Sequence, residues 1–263
     1  MSTLLIDDTT PGVRFLTLNR PERLNALDGP SLENLITAVR ECSAPGRDIR
    51  VIVIRGAGRA FSPGADLKWL ASGVLANAAD HLAFQDRLQE MCETLEAANQ
   101  VVIASIHGLA LAGGLELAMA CDIIVAAEDA ELGDEHIRRN LLPGGGGSQR
   151  LPRKIGAVRG LYYLLTGKRM SGHEAERLGL AAVSVPVDEL AETTAALARD
   201  LARTDGRALA AMKLMAIRGL ALPLKEGLWL ERWMQHRYRS ESDAMDHGVA
   251  NFAAHGKTGA PAA

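Results

Sequence analysis

The sequence predicts an α/β fold with a helical C-terminal region, and three observations support this prediction. Strand and helix signals alternate over the first hundred residues. The strongest strand segments are short, rich in β-branched residues and close to glycines, as is typical of strands buried on both faces of a parallel sheet. From about Gly145 onward, strand signals nearly vanish and helical periodicity dominates. Such alternation favours parallel pairing with right-handed crossovers.

The elements of the core follow in chain order. Residues 4–7 and 14–18 flank a Thr-Thr-Pro-Gly turn and predict a pair of strands. Either Asp28 or Ser31 can cap a helix that runs to about Cys42. Further strands are expected over residues 48–55, 101–105, 122–126 and 182–185, a short helix over 67–70 and a long helix over 77–98.

Helical patterns cover the C-terminal part of the chain. They extend over residues 188–203, 207–219, 223–238 and 242–253. We therefore expect an α/β core at residues 1–190 and a helical region at residues 191–263. The last residues, 256–263, are rich in Gly, Ala and Pro, so we expect them to fray.

The composition argues against several classes of protein. With 48% apolar and 23% charged residues, the chain can bury a sizeable core. The net charge of −3 disfavours a general binder of nucleic acid or of anionic membranes. Three cysteines without regular spacing predict buried core residues and neither a disulfide framework nor a metal site, and they favour a cytoplasmic location. No signal peptide and no membrane span are predicted.

Residues 207–239 form a local basic stretch with seven Lys or Arg and two Glu. Such a stretch is typical of a solvated helix face or a subunit contact. A surface for a phosphate-bearing ligand or RNA is the other interpretation, and both stay open here.

The first segment that could take part in binding or catalysis, residues 60–67 (AFSPGADL), follows a predicted buried strand. Pro63 and Gly64 set a tight turn, and Asp66 can cap the short helix that follows. A strand that ends in such a turn exposes backbone N–H groups, which can bind an anion or a developing oxyanion.

The second segment, residues 107–118 (HGLALAGGLELA), follows the next predicted strand. The Gly113-Gly114 pair lets the chain approach a ligand closely at the start of a helix. Glu116 then lies in the first turn of that helix, among apolar residues. It is either a partner of the helix dipole or a functional acid/base, and burial would raise its pKa toward neutrality.

The third segment joins Asp134-Glu135-His136-Ile137 to a Pro-Gly-Gly-Gly-Gly loop at residues 143–147. The loop lacks the Gly-Lys-Ser/Thr of a phosphate loop. No strand leads directly into it, so it is not a dinucleotide fingerprint either.

These three segments, in this order and at these separations, resemble the crotonase (enoyl-CoA hydratase/isomerase) superfamily. Residues 19–27 (NRPERLNAL), 165–167, 175–180 and 240–252 also resemble that family, so the similarity covers nearly the whole chain. The resemblance implies a spiral of ββα units, a helical C-terminal region that makes trimer contacts, and a homotrimer or a hexamer of two trimers. It also implies an acyl-coenzyme A thioester substrate in fatty acid metabolism, with coenzyme A as part of the substrate and no separate cofactor.

The resemblance also implies roles for individual positions. The backbone N–H groups of Ala65 and Gly113 correspond to the oxyanion hole for the thioester carbonyl, and Lys68 corresponds to a position near the coenzyme A phosphates or adenine. The other substrate-binding positions implied are Ala60, Gly64, Asp66, Leu67, Gly114, Pro143 and Gly144.

Hydratases of this family activate water with two glutamates, and here the second position departs from the pattern. Glu116 matches the first glutamate. An ungapped alignment puts His136 at the second, whereas a slip of one residue would put Glu135 there. Histidine can act as a neutral base or a cationic acid near pH 7, and the five acids within residues 128–135 would favour the cation. A histidine that points into solvent remains the alternative.

The leading functional hypothesis is therefore an enoyl-CoA hydratase or isomerase, a lyase or isomerase that stabilises a thioester enolate. A second hypothesis keeps the fold and ligand but changes the reaction to that of an acyl-CoA hydrolase, decarboxylase or lyase, because of His136. A third is a weakly active or RNA-binding protein with the same fold, which the negative net charge disfavours. The sequence leaves the acyl group and the pathway open.

Overall fold

The computed structural model of the chain describes residues 2–255. They form two compact units, one up to Arg203 and one from Thr204 onward. Residues 256–263, which the sequence predicts to fray, lie outside the described residues. Within the described part, no helix is both long and apolar enough to cross a membrane.

The first unit contains the strands and helices α1 to α8. Its strands are β1 (Leu4–Asp7), β2 (Val13–Leu18), β3 (Val51–Gly56), β4 (Val101–Ile106), β5 (Leu109–Leu111), β6 (Ile123–Ala127), β7 (Glu131–Gly133), β8 (Met170–Ser171) and β9 (Val183–Val185). Its helices are α1 (Gly29–Glu41), α2 (Leu67–Ala71), α3 (Ala78–Ala97), α4 (Gly113–Met119), α5 (Gly147–Ile155), α6 (Ala157–Thr166), α7 (Gly172–Arg177) and α8 (Leu190–Ala202).

A six-stranded sheet in the order β1-β2-β3-β4-β6-β9 forms the centre of this unit. Strand β1 pairs antiparallel with β2, with Leu4 opposite Leu18, and the remaining neighbours are parallel. Strands β3 and β4 are buried almost throughout. The predicted strand pair, the parallel pairing and the short buried strands are confirmed.

A second sheet of three strands, β5-β7-β8, was not predicted. Each of its strands has only two or three residues, which is too short for alternation of apolar and polar residues to be recognised. This small sheet matters for function because β5 leads into Ala112 and α4, while β7 leads into Asp134.

The helices confirm most of the predicted helical segments, and they show which of two candidate residues caps the first helix. Asp28, and not Ser31, caps α1, since its carboxylate accepts a hydrogen bond from the Ser31 N–H at 2.9 Å. Asn77 caps α3 in the same way. Helices α5 and α6 were not predicted, and α8 packs against β3, β4 and β6 within the first unit.

The core is mainly aliphatic, in keeping with an aromatic content of only 4%. Cys42, Cys92 and Cys121 are all buried, which confirms their interpretation as small core residues. Burial raises the pKa of the Cys92 thiol to about 12, so this thiol is not a nucleophile near neutral pH.

The second unit consists of α9 (Gly206–Gly219), α10 (Leu224–Glu241) and α11 (Ala244–His255). Helices α9 and α10 pack against each other. Asp205 caps α9 by accepting from the Ala208 N–H at 2.9 Å. Several large apolar side chains of this unit are exposed, among them Trp229 and Trp233.

Candidate active site

Two turns that follow neighbouring strands of the large sheet meet beside β5. The Phe61 N–H donates to the His107 carbonyl at 3.0 Å, and the Ser62 N–H donates to the Leu109 carbonyl at 2.9 Å. The Leu111 N–H returns a bond to the Ser62 carbonyl at 3.0 Å. Because three backbone bonds join the segments, the turn at residues 60–66 is fixed against the start of α4.

Gly64 and Gly113 bring the two backbones into direct contact. Gly64 has a φ of +94°, and a side chain there would come within 2.7 Å of the Gly113 nitrogen. A Cβ on Gly113 would in turn lie 3.5 Å from the Ala65 nitrogen. Among the hydrogen bonds of residues 2–255, neither the Ala65 N–H nor the Gly113 N–H donates to a protein acceptor. Two backbone N–H groups without a protein acceptor in the described residues therefore lie close together.

The turn before α4 is strained, and it links the two halves of the site. Ala112 has a φ of +48°, a backbone conformation that residues other than glycine rarely adopt. Its N–H donates to the Gly133 carbonyl at 2.9 Å. The start of α4 is thereby tied to the end of β7, immediately before Asp134.

Gly114→Ala is expected to lower the free energy of unfolding by about 2–3 kcal/mol, the upper part of the usual range for overpacking. The added methyl group would overlap the Ser62 carbonyl oxygen and lie 2.8 Å from its carbon, and neither backbone atom can move away cheaply. Denaturant unfolding measures the change.

Gly113→Ala is the matched control for this prediction. It adds the same methyl group to the same helical turn, but the nearest atoms lie at 3.4 Å or beyond, in ordinary van der Waals contact. Equal losses of stability in the two variants would show that the close approach of Gly114 to Ser62 is not what requires glycine.

Glu116 lies in the first turn of α4 and is completely buried. Its Oε1 accepts the Gly147 N–H at 2.7 Å, and within residues 2–255 its Oε2 has no hydrogen-bond partner. Burial raises the pKa of Glu116 and nearby Asp134 adds to this, while His136 and the Gly147 N–H act against it. The net direction is upward, as the sequence predicts, and a carboxyl group of this kind is suited to proton transfer near neutral pH.

The four-glycine loop closes over Glu116. A Cβ on Gly145 would lie 3.0 Å from Glu116 Oε2, and one on Gly147 would lie 3.2 Å from Oε1. Arg150 holds this loop, since its guanidinium donates to the Gly145 carbonyl and pairs with both carboxylate oxygens of Glu96 at 2.6 and 2.8 Å. The glycines of this loop therefore permit close approach to the carboxylate.

His136 lies between two acids. Its Nε2 is 3.8 Å from Glu116 Oε2, and its Nδ1 is 2.7 Å from Asp134 Oδ1. Burial lowers the pKa of His136, but the hydrogen bond and charge of Asp134, together with the charge of Glu116, outweigh burial and raise it overall. His136 therefore faces Glu116 and not solvent, and its neighbours favour the cation.

Glu135 points to a different group of residues. Its carboxylate is buried and pairs with Arg169 at 2.6 Å and with Arg139 at 3.3 Å. Burial would raise the pKa of Glu135, but the two arginines outweigh burial and hold it below the usual value for glutamate. The residue that contacts Glu116 is His136, and Glu135 is held by cations.

The remaining sequence-predicted positions surround this centre to different degrees. Asp66 caps α2 by accepting from the Lys68 and Trp69 N–H groups at 3.1 Å, and Arg20 binds its other oxygen at 2.9 Å. Leu67 and Lys68 are exposed. Gly144 lies directly against the Gln85 side chain of α3 beside the half-buried Pro143. Ala60 is fully buried, and its carbonyl accepts a hydrogen bond from the Asn25 side chain at 2.7 Å.

Comparisons with known proteins identify the family. Residues 8–259 match the family model described as enoyl-CoA hydratase/isomerase. The chain belongs to the enoyl-CoA hydratase/isomerase family. A probable enoyl-CoA hydratase of Mycobacterium bovis is 38% identical over 242 residues, 91% of each chain. The 2,3-dehydroadipyl-CoA hydratase of Escherichia coli is 36% identical over 220 residues, 84% of each chain.

A solved structure extends this similarity to the fold. The crystal structure of an enoyl-CoA hydratase from Bacillus anthracis matches with a TM-score of 0.89 at 34% identity, covering 94% of this chain and 95% of that one. The resemblance to the crotonase superfamily and the predicted α/β fold are thus confirmed. As a member of this family of lyases and isomerases, the chain is an enzyme.

Sequence reasoning missed three residues that shape the site. Asp134 holds His136, Gly147 donates to Glu116, and Arg150 fixes the glycine loop. An acid two residues before a candidate histidine is a visible signal for Asp134. Nothing in the sequence distinguishes Gly147 from the three glycines before it. Within residues 2–255, no group of three His, Cys, Asp or Glu is arranged to hold a metal ion.

Proposed function

We propose that this enzyme hydrates, or shifts, the double bond of an enoyl-CoA thioester through an enolate. One observation carries the proposal: a buried carboxyl group, Glu116, faces a histidine across 3.8 Å. It lies in the first turn of a helix whose first N–H has no acceptor in the described part of the chain. Proton transfer and stabilisation of negative charge are the two requirements of enolate chemistry. The family match supports the same reaction class.

The oxyanion hole in this proposal consists of the Ala65 and Gly113 N–H groups. Their donors belong to backbones that pack on each other at Gly64, so the pair is preorganised. Negative charge builds up on the thioester oxygen as the enolate forms, and each such donor is worth about 3–4 kcal/mol of transition-state stabilisation. The developing enolate makes addition at Cβ and protonation at Cα feasible.

Glu116 and His136 divide the proton transfers of hydration between them. The Glu116 carboxylate takes a proton from water as the hydroxyl oxygen adds to Cβ. The His136 imidazolium then gives its Nε2 proton to Cα of the enolate. In double-bond migration, the same two groups remove a proton from one carbon and return it to another. His136 thus takes the part that a second glutamate has in hydratases that resemble this chain.

The binding of the coenzyme A portion completes the proposal. Exposed Lys68 is the cation we assign to the phosphates or adenine, near Leu67 and the Gly64 turn. Exposed apolar side chains on α9 and α10 support a homotrimer or a hexamer of two trimers. Three buried cysteines, none of them in a disulfide within residues 2–255, support a cytoplasmic location.

Turnover of crotonyl-CoA tests the proposal. Loss of the absorbance of the enoyl thioester, with 3-hydroxybutyryl-CoA identified as product, is the expected result. A panel of longer, branched and carboxylated enoyl-CoA thioesters defines the acyl group. Release of free coenzyme A or of carbon dioxide instead would replace hydration with hydrolysis or decarboxylation. Salt-dependent RNA binding without any turnover would favour the binding-protein alternative.

The pH dependence of kcat/KM is expected to be a bell displaced toward alkaline pH. Activity requires Glu116 deprotonated, and burial raises the pKa of this group, so the acid limb lies above the usual value for glutamate. Activity also requires His136 protonated. Burial lowers its pKa, yet Asp134 and Glu116 raise it overall, so the alkaline limb lies above the usual value for histidine.

A pH series of initial rates with crotonyl-CoA measures both limbs, which belong to the coupled pair and not to either residue alone. An alkaline limb at or below the ordinary histidine pKa of about 6.5 would contradict the requirement for a cationic His136.

A further inference from the structure

Asp134 is a buried residue beside His136 that takes no part in the proton transfers proposed above. It is 1% exposed and follows β7 directly. Its Oδ1 lies 2.7 Å from the His136 Nδ1 and accepts the His136 backbone N–H at 3.4 Å. Its Oδ2 is also buried, next to the Gly147 backbone, and has no hydrogen-bond partner among residues 2–255.

The two nitrogens of His136 face different acids. Nδ1 is within hydrogen-bond distance of Asp134, whereas Nε2 faces Oε2 of Glu116 at 3.8 Å, beyond hydrogen-bond distance. The first contact is short enough to be a hydrogen bond, and the second is too long to be one. Nδ1 can therefore orient the ring through Asp134, and Nε2 remains able to transfer a proton.

We propose that Asp134 is a positioning residue that keeps a proton on His136 Nδ1 and stabilises the imidazolium, so that Nε2 carries the exchangeable proton opposite Glu116. A carboxylate that accepts from Nδ1–H fixes both the tautomer and the ring orientation of a catalytic histidine. The catalytic part of this inference rests on the proposed function. The part that concerns the tautomer and charge of His136 does not.

The charges around His136 show why Asp134 is needed. Burial and the Arg139 guanidinium both disfavour the imidazolium, while Asp134 and Glu116 favour it. Without Asp134, the charge of Glu116 alone would have to outweigh burial and Arg139. Burial, however, also favours the neutral form of Glu116. Removing the charge of Asp134 therefore shifts the balance toward neutral imidazole, which has no Nε2 proton to give.

The proton balance of one hydration cycle involves both Glu116 and Asp134. Water loses a proton to Glu116 and its hydroxyl group bonds to Cβ, while the Nε2 proton of His136 bonds to Cα. Glu116 then holds one extra proton and His136 lacks one. Transfer from Glu116 Oε2 to His136 Nε2, across the 3.8 Å gap or through one water, restores the starting state. Asp134 drives this return because it favours the imidazolium.

Asp134→Asn tests the inference in activity. The amide keeps the size of the side chain but loses the charge, so kcat with crotonyl-CoA is expected to fall about 100-fold, at the lower end of what a positioned acid or base contributes. KM is expected to change little, and the alkaline limb of the pH profile to move to lower pH. Asp129→Asn, which removes one negative charge from an exposed turn nearby in sequence, is the matched control and should change none of these.

Nuclear magnetic resonance tests the same inference without turnover. In protein labelled at histidine, the His136 signal is assigned by its absence from His136→Gln, and its ¹⁵N shifts report the tautomer. The wild type is expected to show Nδ1–H in the neutral form and a pKa above the usual histidine value. Asp134→Asn is expected to lower that pKa. An Nε2–H tautomer in the wild type would overturn the inference even if the variant failed to fold.

The two readouts separate failure of the inference from failure of the proposed function. If no enoyl-CoA thioester is turned over but the resonance behaves as expected, the function is wrong and the Asp134–His136 pair stands. If hydration is observed and Asp134→Asn changes neither the pH profile nor the His136 pKa, the function stands and the inference is wrong.

Discussion

Glu116→Gln is expected to lower kcat for hydration by about 1,000-fold, within the range that a positioned acid or base contributes. The amide cannot take a proton from water, although its oxygen can still accept the Gly147 N–H that Glu116 accepts at 2.7 Å. The site therefore keeps its shape and loses its base. Steady-state kinetics with crotonyl-CoA measure the loss, and KM should change far less than kcat.

The stability of this variant provides an internal check. The pKa of Glu116 is raised in the folded state, chiefly by burial, so its contribution to stability is greatest at low pH and is lost as the pH rises through the folded pKa. A glutamine stays neutral. The melting temperature of Glu116→Gln near neutral pH should thus equal or exceed that of the wild type.

Glu93→Gln is the matched control, because Glu93 lies exposed on α3 and has no part in the site. Full hydratase activity in Glu116→Gln would remove Glu116 from the mechanism. A loss of activity accompanied by unfolding would show that the group is structural.

His136→Gln is expected to lower kcat by about 100-fold and to abolish the alkaline limb of the pH profile. Glutamine fills much of the same space but has no proton to transfer at the position 3.8 Å from Glu116. Initial rates across pH measure both effects. His173→Gln, which changes an exposed histidine at the start of α7, is the control and should leave the profile unchanged.

The alternative alignment has its own signature in this experiment. Glu135 pairs with Arg169 and Arg139, so Glu135→Gln is expected to affect stability more than the pH profile. If Glu135→Gln removed a limb of the profile while His136→Gln kept both, the roles of the two residues would have to be exchanged.

Much of the fold could be predicted from local sequence because the large sheet has strong local signals. The buried run at β3 and the neighbouring β4 are β-branched or aliphatic and long enough to recognise, and α3 has a clear N-cap in Asn77. The small sheet has no comparable signal. Its strands are formed by long-range bonds, such as that from the Ala112 N–H to the Gly133 carbonyl, and no local pattern encodes them.

The candidate site likewise combines residues with a local sequence signal and residues whose roles depend on long-range contacts. Glu116 could be singled out because a carboxylate among apolar residues in a first helical turn is locally unusual. The choice between His136 and Glu135 depended on which way each side chain points, and that is decided by Arg169, more than thirty residues downstream. The part played by Gly147 depends on a backbone N–H that meets Glu116 from 31 residues away.

Two backbone N–H groups that polarise one thioester oxygen are central to the proposed chemistry. A crystal structure of Glu116→Gln with bound crotonyl-CoA tests this directly. The expected result is a thioester oxygen at about 2.7–3.1 Å from both the Ala65 and the Gly113 nitrogens, with Cβ close to residue 116. A thioester bound with its oxygen beyond reach of both nitrogens would contradict the account.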